Sequence, residues 1–140
     1  PDDMTIAMHL CRGNFQSTWM AQGAYDPVAD AVFNQTGIDV FFLEYDSERA
    51  GGLAPLRLLP KGQQRVMAGF ITTKSGELED TDALRRKFDE ASKFADLEQL
   101  GIAPQCGFAS TEEGNTLSED EQKRKLELVV NTAELIWGGV

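Results

Sequence analysis

Four short apolar segments, each followed by turn residues and then by a helical pattern, constrain the fold of this chain more than any other feature. The segments cover residues 5–11, 39–44, 65–72 and 101–107. The continuous apolar run within 39–44 is typical of a strand buried on both faces of a parallel sheet. The strand ends recur about every 30 to 33 residues, which is the length of one βα unit. We therefore predict an α/β protein of four βα units.

Two architectures agree with this pattern. Four consecutive βα units form half of a (β/α)8 barrel, and the same alternation also builds a small doubly wound sheet. The pattern alone does not distinguish them, because it does not reveal whether a parallel sheet closes. In both architectures the functional site lies at the carboxyl ends of the strands.

The first two helices have readable beginnings and ends. Asp26 is the predicted N-cap of the first helix, with Pro27 in its first turn and Gly37 at its end. The second helix is predicted to follow Asp80. Its apolar residues recur at three- and four-residue steps and predict one buried face, made of Leu84, Phe88, Ala91, Phe94 and Leu97.

The third helix is predicted to open with a capping box, because Ser118 is followed three residues later by Glu121. Its end is expected at Gly138 and Gly139, which also resemble a natural chain end. The residues predicted to face inward are Leu126, Val129, Val130, Ala133 and Ile136.

The charge and hydropathy of the chain exclude several classes of function. The formal net charge is −10, and no basic cluster offers binding energy to nucleic acid or to an anionic membrane. No apolar run approaches the roughly 20 residues that span a bilayer, and no secretion signal is recognisable. We expect a cytoplasmic protein. Because the chain starts with Pro1 and a strand follows almost at once, we expect residues 1–140 to be a fragment of a longer protein.

Four potential metal ligands are predicted at the ends of three strands. His9 and Cys11 are two residues apart on an extended strand, so their side chains point to the same face. Glu44 and Cys106 occupy the corresponding ends of the second and fourth strands. One imidazole, two thiols and one carboxylate form a ligand set that suits zinc, and their wide separation in sequence is typical of a catalytic site rather than a zinc finger.

The sequence also allows other interpretations of these residues. His9 is alternatively a hydrogen-bonded core residue with both cysteines as buried apolar side chains, and a Cys11–Cys106 disulfide is a third possibility. Asp46 is an alternative ligand to Glu44. Lys74 is a candidate proton donor or anion-binding cation at the third strand end. Glu48 and Arg49 follow in a loop that could meet a substrate.

Four motifs occur in an order that resembles a known family. They are residues 9–14 (HLCRGN), 42–46 (FLEYD), 69–74 (GFITTK) with Leu78 and Glu79, and 104–111 (PQCGFAST). Together they resemble the C-terminal catalytic barrel of cobalamin-independent methionine synthase, especially its short bacterial relatives, over nearly the whole chain. The resemblance favours the C-terminal half of a (β/α)8 barrel.

The resemblance implies a zinc ion held by His9, Cys11, Glu44 and Cys106, and methyl transfer from a methyl-tetrahydrofolate to the thiol of homocysteine. The longer enzymes have a histidine that helps to protonate the folate where this chain has Lys74, so the methyl donor is less well defined than the thiol acceptor. Substrate contacts from the first four strands of the barrel would lie outside this chain. We therefore expect pairing with a missing N-terminal half or with a second copy.

Two alternative functions remain from the sequence. One is a related zinc-dependent alkyl transfer to a different thiol. The other is a non-catalytic half-barrel that associates with itself, because an open half-barrel exposes two sheet edges.

Overall fold

The computed structural model describes residues 3–11, 14–15, 18–19, 23–109 and 112–139. Within these residues, four parallel strands form one sheet: β1 (Ala7–Leu10), β4 (Val40–Glu44), β5 (Arg65–Ile71) and β6 (Leu100–Pro104). A small antiparallel pair, β2 (Asn14–Phe15) and β3 (Thr18–Trp19), follows β1. The sequence did not predict this pair, since two-residue strands carry no periodic pattern.

The strand order β1-β4-β5-β6 resolves the choice between the two architectures. Each new strand pairs in parallel with the one before it and always on the same side. A doubly wound sheet reverses this direction at a switch point, whereas a (β/α)8 barrel does not. The chain is therefore four βα units of a half-barrel, and the doubly wound alternative is wrong.

The two faces of the sheet have different neighbours. On one face Phe41 contacts Phe33 edge-to-face at 5.2 Å between ring centroids, and Phe70 contacts Phe88 at 5.0 Å. These contacts join the sheet to two helices, α1 (Ala29–Gln35) and α2 (Thr81–Ala91), and form the core. The row of residues on the opposite face is exposed or half-buried, and consists of His9, Phe42, Met67 and Gly101. In a closed barrel this second face lines the interior.

Helix α1 begins two residues later than the sequence predicted. Its N-cap is Val28, not Asp26, and no side chain caps it. The backbone N–H groups of Val28 and Ala29 both donate to the carbonyl of Tyr25, so a turn precedes the helix. Gly37 lies past the helix end with a φ of +67°, which agrees with its predicted role.

Helix α2 begins as predicted and ends early. The carboxylate of Asp80 accepts a hydrogen bond from the N–H of Ala83, which confirms the cap. The helix stops at Ala91, so Phe94 and Leu97 are not helical members of its apolar stripe. Both still pack against the core from the turn that follows, and Leu97 begins a short 3-10 helix, Leu97–Gln99. Two further 3-10 helices, Glu48–Ala50 and Ala54–Leu58, precede β5.

Helix α3 (Glu119–Trp137) has the predicted capping box of Ser118 and Glu121 and a left-handed Gly138 at its end. Its inward face was predicted only in part, because Leu126 and Val130 are each 43% exposed. The buried residues of this helix are Lys125, Leu128, Thr132 and Ala133. Lys125, which apolar spacing does not place inward, has no exposed side-chain surface and pairs with Glu79, whereas Leu126 and Val130 lie on a more exposed side of the helix.

Two glutamines join the βα units at the end of the sheet where the strands begin. Gln99 Nε2 donates to the carbonyls of Pro60 and Gln64, at 2.8 and 2.9 Å. Gln64 Nε2 in turn donates to the carbonyls of Phe33 and Ile38, at 3.1 and 2.9 Å. These amide clamps tie the segments that precede β4, β5 and β6. None of the described helices has the length and apolar character needed to cross a membrane.

Candidate metal centre

The four predicted ligands come together at the carboxyl edge of the sheet. His9 lies on β1, Cys11 directly follows it, Glu44 is the last residue of β4, and Cys106 lies two residues after β6. One ligand atom from each of the four lies within 4.8 Å of all the others. Parallel strands of matched length end at one edge, which explains how residues 95 positions apart in sequence meet there.

The contacts within this group are short and have one buried and one open side. Cys11 Sγ lies 2.7 Å from Cys106 Sγ, and the Cys106 thiol donates to Glu44 Oε1 at 2.6 Å. His9 Nε2 is 3.8 Å from the same carboxylate oxygen. The Glu44 side chain is 1% exposed whereas that of His9 is 36% exposed, and Cys11 is exposed as well. A second molecule can therefore approach from the side of His9 and Cys11.

The donor set fits a dication. No disulfide joins Cys11 and Cys106 in the structure, which does not support the disulfide alternative. Burial, together with hydrogen bonds to Cys11 and Glu44, raises the pKa of the Cys106 thiol well above its ordinary value. Two thiol groups and a carboxylate are packed in one place, and a bound cation is the usual means of stabilising such a cluster. One nitrogen, two sulfurs and one oxygen are ligands that zinc accepts in tetrahedral geometry.

Tyr25 fixes the two strand ends that carry three of the ligands. Its hydroxyl accepts a hydrogen bond from the N–H of Glu44 at 2.8 Å and donates to the carbonyl of Leu10 at 3.4 Å. The side chain is buried and its ring packs 5.1 Å from that of Tyr45. Nothing in the sequence around Tyr25 signals this role, because both partners are distant strand residues.

Gly69 allows β5 to approach the end of β4 closely. It pairs with Glu44 in the sheet. A Cβ at this position would lie 2.9 Å from the carbonyl oxygen of Leu43 and 3.4 Å from Cα of Glu44. A side chain here would therefore push against the backbone that carries a candidate ligand.

Lys74 and Asp46 lie at the same edge of the sheet but outside the group of four. Lys74 Nζ is 3.8 Å from Asp46 Oδ2 and donates a hydrogen bond to Gln105 Oε1. The side chains are 8% and 5% exposed, so the pair is nearly buried. Glu44 rather than Asp46 is thus the carboxylate that meets the thiols. Glu48 is exposed, and the side chain of Arg49 lies outside the described residues, as do Arg12, Gly13, Ser110 and Thr111 of the quoted motifs.

Comparison with known proteins gives consistent matches over nearly the whole chain. The family model described as "Cobalamin-independent synthase, Catalytic domain" matches residues 1–134. Two uncharacterized proteins of Bacillus subtilis (strain 168), YxjG and YxjH, are 50% and 49% identical over 137 residues. These matches cover 98% of this chain but only 36% of each relative, so the chain spans about a third of the length of these curated proteins.

Two solved structures share the fold. A candidate vitamin-B12 independent methionine synthase from Listeria monocytogenes superposes with a TM-score of 0.74 at 40% identity, over 99% of this chain and 36% of that chain. A B12-independent methionine synthase from Shewanella sp. W3-18-1, in complex with selenomethionine, gives a TM-score of 0.75 at 20% identity. That second match covers 97% of this chain and 39% of the other, and at this identity it supports the fold alone.

Proposed function

The chain belongs to the family of cobalamin-independent methionine synthase catalytic domains, and on that premise we propose that it supplies the zinc site for methyl transfer to the thiol of homocysteine. The observation that carries this proposal is the convergence of His9, Cys11, Glu44 and Cys106 within 4.8 Å. A methyl-tetrahydrofolate is the proposed donor. A cytoplasmic location suits two cysteines that are not joined by a disulfide, because thiols stay reduced there.

Zinc, when bound by these four residues, supplies positive charge that stabilises a thiolate over a thiol near neutral pH. The substrate thiol would approach the site from its exposed side, where His9 and Cys11 lie. The buried Glu44 forms the opposite side of the site. In the transfer, the substrate sulfur forms a bond to the methyl carbon. The bond between that carbon and nitrogen of the donor breaks, and the nitrogen keeps the electron pair and then takes up a proton.

We propose Lys74 as the residue that provides a proton or a positive charge on the donor side. Its ammonium group is held near the strand ends by Asp46 and Gln105, which fixes its direction. A lysine here replaces the histidine of the longer enzymes that the chain resembles. The proposal for Lys74 therefore concerns the donor and leaves the thiol site unchanged.

Metal content provides the direct test of the site. The purified chain is expected to bind about one zinc per molecule, and Cys11→Ser and Cys106→Ser should each lose most of it, because a hydroxyl is a far poorer zinc ligand than a thiolate. Serine is nearly isosteric with cysteine, so circular dichroism should show an unchanged fold. Zinc retained at the wild-type level in both variants would refute the metal site.

We propose further that residues 1–140 act with a second set of four βα units. The sheet face that carries Phe42 and Met67 is open, and an eight-stranded closed barrel is the form in which such a face is filled. The missing portion of the longer relatives is the proposed partner, and a second copy is the alternative. Methyl transfer should then appear only in the assembled barrel, and assays with homocysteine and with other thiols separate the proposed acceptor from a related alkyl transfer.

A non-catalytic, self-associating half-barrel is the second candidate function. The sheet edge formed by β6 favours this function, because a cavity of about 520 Å³ there is lined largely by apolar residues of β6 and α3, among them Ile102, Val129, Val130 and Trp137. A chain that assembles but binds no zinc would support this second function over the first.

A further inference from the structure

We infer that the buried ion pair of Lys125 and Glu79 is a positioning device for Cys106, acting through the ends of β5 and β6. The inference rests on the proposed metal site and adds to it two residues, far from the ligands in sequence, that set the ligand geometry. Among the described residues, neither side chain contacts any of the four ligands. The ion pair therefore affects the position of Cys106 through intervening hydrogen bonds and the backbone.

The ion pair is placed where charge is costly to bury. Lys125 on α3 has no exposed side-chain surface, and its Nζ lies 3.0 Å from both carboxylate oxygens of Glu79. The Glu79 side chain is 21% exposed. Removing an ammonium group from water is unfavourable unless its partner is well placed, and replacing both members of a buried ion pair by apolar residues of similar size is often neutral or stabilising. A role in positioning therefore accounts for the pair better than stability does.

The pair fixes the chain immediately after β5. Glu79 Oε1, which accepts from Lys125, also accepts from the N–H of Thr72 at 2.8 Å. A charged acceptor makes a stronger and more directional hydrogen bond than a neutral one. The backbone at Thr72, one residue past the end of β5, is thereby tied to helix α3.

From Thr72 the connection continues to the residue before Cys106. The Thr72 hydroxyl donates to Gln105 Oε1 at 3.3 Å and accepts from the N–H of Lys74 at 3.2 Å. Lys74 Nζ donates to the same oxygen of Gln105. Thr72 and Lys74, which follow β5, thus both donate to Gln105, the residue that precedes Cys106.

A second tie holds the other side of Cys106. Asn115 Nδ2 donates to the carbonyl of Thr73 at 3.2 Å and to that of Gly107 at 3.4 Å. Cys106 therefore lies between Gln105, which accepts hydrogen bonds from Thr72 and Lys74, and Gly107, which Asn115 links to Thr73. Outer residues that orient a metal ligand change metal affinity by about 10- to 100-fold when altered.

The experiment measures the affinity of the full chain for Zn²⁺ alone, in competition with a chromophoric chelator. Co²⁺ is then used as a spectroscopic probe of ligand geometry. Lys125→Met removes the charge and keeps much of the volume, and Lys125→Arg restores a cation. The matched control is Lys123→Met on the same helix, whose pair with Glu119 spans 2.9 Å but is largely exposed. Gln105→Leu breaks the last link while leaving the ion pair intact, so the test stands even if Lys125→Met does not fold.

We expect Lys125→Met and Gln105→Leu to weaken Zn²⁺ binding at least about tenfold and to alter the Co²⁺ spectrum. Lys125→Arg should recover most of the affinity, and Lys123→Met should equal wild type. A folded Lys125→Met, or a Gln105→Leu, with wild-type affinity and spectrum overturns this inference while leaving the proposed function standing. A wild-type chain that binds no Zn²⁺ overturns the proposed function and this inference with it.

Discussion

At the scale of single residues, Glu44 and Asp46 are two carboxylates near one strand end with different surroundings. Glu44 meets Cys106 and His9, whereas Asp46 faces Lys74. Glu44→Gln should therefore lower zinc affinity at least about tenfold, because a neutral amide is a weaker ligand than a carboxylate. Asp46→Asn, which likewise replaces a carboxylate by the amide of the same shape, should keep the zinc affinity of the wild type. Competition with a chelator measures the zinc affinity of both variants. If Asp46→Asn loses more affinity than Glu44→Gln, then Asp46 and not Glu44 is the ligand.

Two glycines on neighbouring strands offer a matched test of strand packing. A Cβ on Gly69 would press on the backbone of β4, whereas one on Gly101 would meet only the Sδ and Cε atoms of Met67, the mobile end of a side chain. Gly69→Ala should lower the free energy of unfolding by about 1–3 kcal/mol, as overpacking does, and Gly101→Ala by clearly less. Denaturant unfolding measures both. Equal losses would show that β4 can shift to accept a methyl group at Gly69.

The residues that could be predicted from sequence were those marked by their own chemistry and by a strand end. The candidate ligands lie at or just after the carboxyl ends of parallel strands, which bring them to one edge of the sheet; they are His9, Cys11, Glu44 and Cys106. Tyr25 could not be predicted in this way, because its role depends on a hydroxyl that reaches two distant backbone groups.

At the scale of elements, the helices show which local signals specify structure. Asp80 and Ser118 cap their helices as predicted, since an N-cap depends on residues only three positions away. The inward face of α3 could not be predicted correctly from apolar spacing. A buried Lys125 is intelligible only with its partner Glu79, which is 46 positions away in sequence. The ends of α3 could thus be predicted from local residues, whereas its buried face includes a residue whose partner is distant in sequence.

The capping box of α3 gives a stability prediction. Ser118→Ala removes the acceptor of the N–H of Glu121 and should lower the free energy of unfolding, measured by denaturant unfolding, by about 0.5–2 kcal/mol.

The same capping box gives a prediction of pH dependence. Hydrogen bonds from the backbone and side chain of Ser118 lower the pKa of Glu121 below its ordinary 4.5. Because this pKa is lower in the folded chain than in the unfolded chain, the ionised carboxylate stabilises the fold at pH values above the unfolded pKa. This stabilisation is lost as the pH falls through the folded pKa. Denaturant unfolding between pH 7 and pH 3 should therefore show the difference between wild type and Glu121→Gln shrinking below about pH 4.5, and a constant difference would contradict this.

At the scale of the whole molecule, the open half-barrel predicts association. Val130 on α3 lies beside the edge strand β6, whereas Leu135 on the same helix lies beside Phe88 and Leu97 on the side of α2. Val130→Asp should weaken assembly, either with a second copy or with a complementary half, because it places a charge on the surface to be covered. Leu135→Asp, also on an exposed position, is the control. Light scattering across a concentration series measures both, and a wild-type chain that stays monomeric and binds no complementary half would contradict the prediction.

The two rims of the sheet are held together by different chemistry. The rim with the candidate ligands depends on ionisable groups, including Glu79, Lys125, Lys74 and Asp46. The opposite rim is tied by Gln64 and Gln99, whose amides neither gain nor lose a proton in water. A substitution that removes a charge should therefore disturb the rim with the candidate ligands, whereas a substitution of Gln64 or Gln99 should disturb the joints between the βα units. The two rims are in this sense open to separate change.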